Sequence, residues 1–286
     1  MISATRLFLD GGDPVETQSI QELLGGAGKP GLDGQTTNPS LIAKNLASGK
    51  GLAEGKKLTA VEADVEYRRI VTEMAKIVSG PISIQVIANE NTSKDEMLAS
   101  ARARIRWIPN AVIKFPCIQN GIAAAHEFCQ EGPVNMTLVF SQAQAAAVYS
   151  ATDGAKFPVF VSPFVGRLDD RGENGMDLIA NIVKMYEPGD GHVSLLCASV
   201  RTFDHFQQAI ALKSPVMTVP ASLITQWKEK EFPVPDSSYV YPAGAFKAIP
   251  YDVVALDKPF DSYDIRHPLT DAGLAKFWSD WHQWVE

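Results

Sequence analysis

The sequence has few cysteines, no long apolar run and no excess of positive charge. Only three of its 286 residues are cysteine, and no two form a C-x-x-C pair, which excludes a zinc site or disulfide framework of the usual spacing. No apolar run approaches the roughly 18 residues that span a bilayer. The net charge of −7 argues against nucleic acid or an anionic membrane as the main partner. The first residues also lack a signal-peptide core, so we expect a cytoplasmic protein with reduced thiols.

Short apolar runs rich in β-branched residues recur along the chain, with helical patterns between them. They predict eight strands, at residues 5–10, 31–36, 82–87, 111–115, 134–140, 159–164, 192–199 and 216–220. Near-continuous apolar strands separated by helices indicate a parallel sheet covered on both faces. No G-x-G-x-x-G follows the first run, which disfavours a doubly wound sheet. We therefore expect an α/β protein whose residues 1–286 form one (β/α)8 TIM-barrel domain.

Two regions depart from a simple alternation of strand and helix. Residues 45–80 are longer than one helix requires, and we expect an additional short helix there. The helix that follows is predicted from a stripe of Val61, Val65, Val71, Met74 and Val78.

Residues 233–286 are predicted to be a C-terminal extension that ends in a helix. Residues 233–268 are rich in proline and tyrosine and show no clear period. Beyond them, large apolar side chains recur every three or four residues, at Leu274, Phe277, Trp278, Trp281 and Trp284. Such a stripe either packs on its own barrel or forms a homo-oligomer contact, and the sequence leaves both open.

Polar side chains occur in or just after seven of the eight predicted strands. They are Asp10, Thr36, Asn38, Gln85, Lys114, Asn135, Thr137, Ser162, Ser199 and Arg201. Each alone has an ordinary structural explanation. Because the carboxyl ends of all barrel strands meet at one mouth, where the chemistry of such barrels is found, we interpret them as one set.

A lysine held among apolar residues indicates the chemistry of this set. Burial lowers the pKa of an amine, so Lys114 in AVIKFPC would be neutral and able to attack a carbonyl. Asp10 could move the proton that a Schiff-base reaction requires. Arg167 and Arg201 follow strands six and seven, where barrels often hold phosphate. The hypothesis is carbon–carbon chemistry on a phosphorylated sugar, with no metal or cofactor; the five histidines lack ligand spacing and are expected on helices and the surface.

Motifs along nearly the whole chain resemble those of the transaldolase family. FLDGGD at 8–13, DGQTTNPSLI at 33–42, IKFP at 113–116, VNMTLVFS at 134–141, SPFVGR at 162–167 and CASVR at 197–201 occur in the family's order. VMTVPASL and the terminal LTDAGLAKFWSDW resemble its last strand and helix. TTNPS and SPFVGR are the specific motifs, whereas the lysine strand alone is a weak one.

The resemblance implies a role for each matched residue. Lys114 would form a Schiff base with a ketose phosphate, and Asp10 would take the C4 hydroxyl proton as the C3–C4 bond breaks. Gln85 and Thr137 would complete the catalytic set, with Thr36 and Thr137 holding water. Asn38, Asn135 and Ser162 would bind the donor hydroxyls, Phe164 would line the site, and Arg167, Ser199 and Arg201 would bind the phosphate. The implied setting is the non-oxidative pentose phosphate pathway.

Two positions bear on the reaction type and point in opposite directions. Transaldolases resemble one another in having glutamate where this chain has Gln85, and glutamine there is similar to the related fructose-6-phosphate aldolases. Phe164 matches transaldolases, where those aldolases have a tyrosine that can help release free dihydroxyacetone. We give Phe164 more weight because losing a proton donor suppresses release directly. The alternatives are an aldolase-like lyase and, less favoured, a barrel that only binds sugar phosphates.

Overall fold

The computed structural model describes residues 5–49 and 57–286. Within them, parallel strands close into a barrel in chain order, with the last strand paired to the first. The strands are β1 (Arg6–Asp10), β2 (Gly34–Thr36), β3 (Ile82–Gln85), β4 (Ala111–Pro116), β5 (Val134–Val139), β6 (Val159–Pro163), β7 (Val193–Cys197) and β8 (Val216–Val219). The expected (β/α)8 barrel is confirmed. The main difference in bounds is in β2, which begins only at Gly34.

Helices surround the barrel and connect its strands. They are α1 (Pro14–Gly26), α2 (Pro39–Gly49), α3 (Ala60–Ile77), α4 (Lys94–Arg104), α5 (Gln119–Phe128), α6 (Gln142–Ala151), α7 (Val165–Asp169), α8 (Gly175–Tyr186), α9 (Phe203–Ala211), α10 (Ala221–Glu229) and α11 (Pro268–His282). Local sequence sets several of their starts. Thr59 with Glu62, for example, forms a capping box that satisfies the first amides of α3.

An additional helix does occur between β2 and β3, but it is α2, which begins earlier than expected, at Pro39. The predicted apolar stripe of α3 was partly wrong. Val61 is 74% exposed and Val65 is 59% exposed, whereas Tyr67, Ile70 and Met74 are buried. At 100° per residue the two valines lie on the side of the helix opposite this buried face, so their apolar character misled the assignment.

The C-terminal extension runs along the outside of the barrel before it reaches the mouth. Residues 233–267 contain one 3₁₀ turn (Phe260–Ser262) and otherwise irregular backbone. Side chains of three helices fix this backbone. Gln207 of α9 donates to the carbonyl of Pro233, Asn181 of α8 donates to that of Ile249, and the side-chain carbonyl of Gln142 on α6 accepts from the amide of residue 252. These bonds carry the chain around to α11.

Helix α11 packs on α2 and β5 of its own barrel. Leu274, Phe277 and Trp281 are buried there, at 3–4% exposure. The intramolecular role of the apolar stripe is therefore observed for these three residues, while the homo-oligomer contact stays a prediction. Across residues 5–49 and 57–286, no helix has the length and apolar character that a membrane crossing requires.

Candidate active site

Lys114 lies in the middle of β4, inside the barrel. The strand register places it between Gln85 of β3 and Asn135 of β5. Its side chain is 3% exposed, and Nζ donates a hydrogen bond of 3.2 Å to the carbonyl oxygen of Thr37. Burial lowers the pKa of Lys114 to about 8, with Asp10 opposing the shift and Arg167 adding to it. Roughly a tenth of this amine is therefore neutral at pH 7, far more than for a lysine of ordinary pKa.

Asp10 ends β1 and shares the cavity with Lys114. Thr36 Oγ1 donates to Asp10 Oδ1 at 2.8 Å, and Thr218 Oγ1 lies 2.7 Å from Thr36 Oγ1. Because the Thr36 proton is committed to Asp10, Thr218 is the donor in the second bond. Burial raises the pKa of Asp10, and Lys114 and Thr36 offset part of the effect. A carboxylate with a raised pKa is suited to accepting a proton during a reaction.

Ser162 and Asn135 form a hydrogen-bonded chain across three strands. Ser162 Oγ on β6 donates to Asn135 Oδ1 at 2.7 Å, and Asn135 Nδ2 donates to Ser83 Oγ on β3 at 3.0 Å. This chain fixes the amide orientation of Asn135. Both side chains are therefore held in place before any ligand binds.

Two buried polar atoms lie nearby without a partner among the described residues. They are Oε1 of Gln85 and Oγ1 of Thr137. Thr137 immediately precedes Leu138, whose φ is +62°, at the point where the pairing of β5 with β6 shifts register. An unpaired buried oxygen is costly, so water or ligand is the expected partner of each.

A cavity of about 160 Å³ opens above these residues at the barrel mouth. The candidate residues that line it are Asp10, Thr36, Asn38, Lys114, Ser162, Phe164, Arg167, Ser199 and Arg201. Gln85, Asn135 and Thr137 are not among the lining residues, although Gln85 and Asn135 flank Lys114 in the strand register. The ring centroid of Phe164 is 6.0 Å from Lys114 Nζ, so an aromatic wall stands beside the amine.

The two arginines at the cavity differ in their environments. Arg201 is 44% exposed and pairs with Asp170. Arg167, from the five-residue helix α7, is mostly buried, and desolvation and Arg201 both lower its pKa. Ser199 joins them with a backbone φ of +56°. The cavity thus has two guanidinium groups at one end. At the other it has the carboxylate of Asp10 and the amine of Lys114, whose pKa is lowered.

The expectation that the histidines lie on helices and the surface was only partly right for His205. It is on α9 but is 1% exposed, and its Nδ1 accepts a 3.3 Å hydrogen bond from the amide of Arg201. Its Nε2 therefore carries the proton and donates to Asp169 at 2.6 Å. Burial lowers the pKa of His205, which favours this neutral form. The sequence did contain a signal for this contact with Arg201, because the histidine follows Arg201 by four residues and lies in the first turn of a predicted helix.

Further cavity residues were missed by sequence reasoning. Thr218 is the polar residue of the eighth strand, so the criterion that identified polar residues in the other seven strands could also have identified it. Thr37, within the TTNPS motif, contributes a backbone carbonyl to Lys114, and Phe277 of α11, which the sequence marked only as part of an apolar stripe, lines the cavity. As for metals, the described residues contain no group of three His, Cys, Asp or Glu side chains placed to bind an ion.

The family model described as Transaldolase/Fructose-6-phosphate aldolase matches residues 7–286. The chain belongs to this family. The resemblance read from the motifs is thus confirmed, and with it an enzyme family of transaldolase and aldolase type.

Curated relatives agree with the assignment. A probable transaldolase of Phenylobacterium zucineum is 35% identical over 251 residues, covering 87% of each chain. One from Brucella ovis is 34% identical over 278 residues and covers 96% of each chain. One from Herpetosiphon aurantiacus is 31% identical, covering 97% of this chain and 95% of the relative.

Proposed function

We propose that this family member is a transaldolase that transfers a dihydroxyacetone unit from a ketose phosphate, fructose 6-phosphate or sedoheptulose 7-phosphate, to an aldose phosphate. The observation that carries the proposal is the buried amine of Lys114, with a pKa of about 8, in a cavity shared with Asp10. A nucleophilic amine beside a carboxylate with a raised pKa is the pair that a Schiff-base aldol cleavage requires.

The proposed reaction begins with the neutral amine of Lys114 attacking C2 of the ketose. Loss of water then gives a protonated Schiff base. Asp10 takes the proton of the C4 hydroxyl, the C3–C4 bond breaks, and its electron pair flows into the Schiff base to form an enamine. The aldose phosphate leaves with a new aldehyde. The enamine then attacks an acceptor aldehyde, Asp10 returns its proton to the new hydroxyl, and hydrolysis frees Lys114.

The remaining polar groups are proposed to hold the donor and the water. Asn135 and Ser162 are held by each other, and together with Asn38 they can bind the hydroxyls of the three-carbon unit. Thr36 orients Asp10. The unpartnered oxygens of Gln85 and Thr137 are suited to the water that leaves and returns.

The phosphate is proposed to bind at the cationic end of the cavity, on Arg167, Arg201 and Ser199. Guanidinium groups match a phosphate dianion in charge and in hydrogen-bond geometry. With substrates of this kind, the proposed setting of the enzyme is the non-oxidative pentose phosphate pathway, and the proposed location is the cytoplasm.

A second candidate function is a lyase that releases free dihydroxyacetone. Gln85 favours it, because glutamine at this position resembles the aldolase branch of the family. Phe164 favours transfer, because its ring beside Lys114 offers no proton to the enamine. A barrel that only binds sugar phosphates is less favoured, since binding does not require the Lys114–Asp10 pair.

Borohydride reduction in the presence of fructose 6-phosphate, followed by peptide mass mapping, tests the proposal. A reduced three-carbon adduct on Lys114 is expected in the parent and in Lys228→Ala, a control at an exposed lysine of α10 that lines neither this cavity nor the one beside Asp10. No adduct is expected in Lys114→Ala. Sedoheptulose 7-phosphate formed only with erythrose 4-phosphate present would support the transaldolase. Steady release of dihydroxyacetone would support the lyase, and an adduct on another lysine would overturn the mechanism.

A further inference from the structure

Arg167 is a mostly buried guanidinium without a polar partner. Among residues 5–49 and 57–286, no side chain or carbonyl accepts a hydrogen bond from it and no carboxylate lies within ion-pair distance, although the charges of Asp170 and Asp280 act on it from farther away. Its neighbour Arg201, by contrast, is paired with Asp170. A mostly buried cation whose N–H groups have no acceptor raises the free energy of the folded state. Its side chain is also free to move unless other contacts hold it.

Two aromatic rings provide that support. The Cζ atom of Arg167 lies 5.2 Å from the ring centroid of Phe164 and 5.4 Å from that of Phe277. Both distances are within the range in which an aromatic ring attracts a cation. Since rings satisfy charge but accept no strong hydrogen bonds, the donors of Arg167 stay available for an anion.

One of these rings comes from the C-terminal helix, which is held over the barrel mouth by several contacts. Thr270 Oγ1 donates to the carbonyl of Leu138 at 2.9 Å, and Gln144 donates to Thr270 at 2.8 Å. At the other end of α11, Asp280 accepts a hydrogen bond from Ser40 on α2. These contacts fix the helix relative to β5 and α2, and therefore fix the position of Phe277.

A glycine on the same helix makes room for the guanidinium. A Cβ atom on Gly273 would lie 2.4 Å from Nη1 of Arg167 and 2.6 Å from Cδ2 of Leu138. Both distances are shorter than real contacts allow. Helix α11 therefore meets the guanidinium of Arg167 at two positions. Phe277 places its ring against it, and Gly273, four residues earlier, leaves the space that the guanidinium occupies.

We propose that Phe277 and Gly273 of α11 position Arg167 for phosphate, so that the C-terminal helix sets the preference for phosphorylated over non-phosphorylated substrates. The inference rests on the proposed function, in which Arg167 binds the substrate phosphate. It assigns α11 a part in the site that its sequence pattern, an apolar stripe, did not indicate.

Kinetics with fructose 6-phosphate and fructose, together with inhibition by inorganic phosphate, test this inference. Phe277→Leu removes the ring and is expected to raise KM for fructose 6-phosphate and the inhibition constant of phosphate roughly tenfold. We expect kcat, and KM for fructose, to change little. Phe277→Tyr keeps the ring and should restore most of the affinity. Lys276→Ala, at an exposed neighbouring position, is the control that should match the parent.

Gly273→Ala gives an independent measurement in the same assay. Alanine has a higher helix propensity than glycine, so we do not expect this substitution to destabilise α11 through helix propensity. The steric contact with Arg167 should nonetheless raise KM for fructose 6-phosphate several-fold. This variant also tests the inference if Phe277→Leu fails to fold.

Arg167→Leu separates the two ways in which the idea could fail. If it leaves phosphate inhibition unchanged, the proposed phosphate role of Arg167 is wrong. If it weakens inhibition while Phe277→Leu and Gly273→Ala behave as the parent does, the phosphate role stands and the role of α11 is overturned. Equal effects of Phe277→Leu on fructose and fructose 6-phosphate would also overturn it, because they would indicate a merely structural residue.

Discussion

The hydroxyl oxygen of Tyr67 lies 2.7 Å from Oγ1 of Thr37. Thr37 donates its own proton to the carbonyl of Ser83, so Tyr67 is the donor between the two hydroxyls. The Tyr67 oxygen in turn accepts the backbone N–H of Gln85 at 3.1 Å. One side chain of α3 therefore fixes the ends of both β2 and β3. Lys114 depends on both ends, because its amine donates to the carbonyl of Thr37 and its backbone pairs with Gln85.

Removing this hydroxyl should disturb the surroundings of Lys114 without touching a substrate. Tyr67→Phe leaves the Gln85 amide without its acceptor, which we expect to cost about 1–3 kcal/mol of folding free energy. We expect kcat to fall roughly tenfold with KM nearly unchanged. Denaturant unfolding and steady-state kinetics measure both. Tyr149→Phe removes a similar hydroxyl, bonded to Asp190 away from the cavity, and should leave kcat intact. A fall in kcat of equal size there would contradict the prediction.

The rate of attack by Lys114 should rise with pH through about 8, because burial lowers the pKa of its amine to that value and only the neutral form is nucleophilic. Asp10 raises this pKa by its negative charge. Asp10→Asn should therefore shift the profile to lower pH, even though turnover is lost. The rate at which an amine-selective reagent modifies Lys114, followed by peptide mass mapping, reports the profile in both proteins. A shift to higher pH in Asp10→Asn would show that the two groups do not interact as described.

Phe164→Tyr should convert part of the transfer reaction into release of dihydroxyacetone. The ring stands beside Lys114, so a hydroxyl added to it would bring a proton donor toward the enamine. We expect release from fructose 6-phosphate without an acceptor to increase roughly tenfold or more. Phe164→Leu changes the packing but adds no donor, and should not increase release. If both variants release dihydroxyacetone equally, loosened packing is the cause and the hydroxyl is not.

Arg201→Ala should raise KM for phosphorylated substrates about 10- to 100-fold, since a charge-assisted hydrogen bond to phosphate is lost. KM for dephosphorylated analogues should change little. Because Asp170 occupies Arg201 in the free protein, Asp170→Asn should lower KM for the phosphorylated substrate by a factor of about two to five. A comparable loss for both substrate classes in Arg201→Ala would remove the phosphate role.

Much of the fold and of the site followed from the sequence because both depend on local patterns. Apolar β-branched runs alternate with helical segments, and in a closed parallel barrel every strand ends at the same mouth. A polar residue at a strand end can therefore be placed without coordinates. That is why Asp10, Lys114 and Ser162 were predicted together, and why Thr218 could have been.

Other features depended on packing between distant segments. The irregular path of residues 233–267 has no period to read, so the sequence could not say that Phe277 would reach Arg167. The partnership of Tyr67 with Thr37 joins a helix to a strand end by a hydrogen bond that neither segment signals alone. The sequence by itself determined the barrel and the residues at its mouth, through periodicity along the chain. Only the tertiary structure decided which helices support those residues, because such contacts depend on where distant segments meet in space.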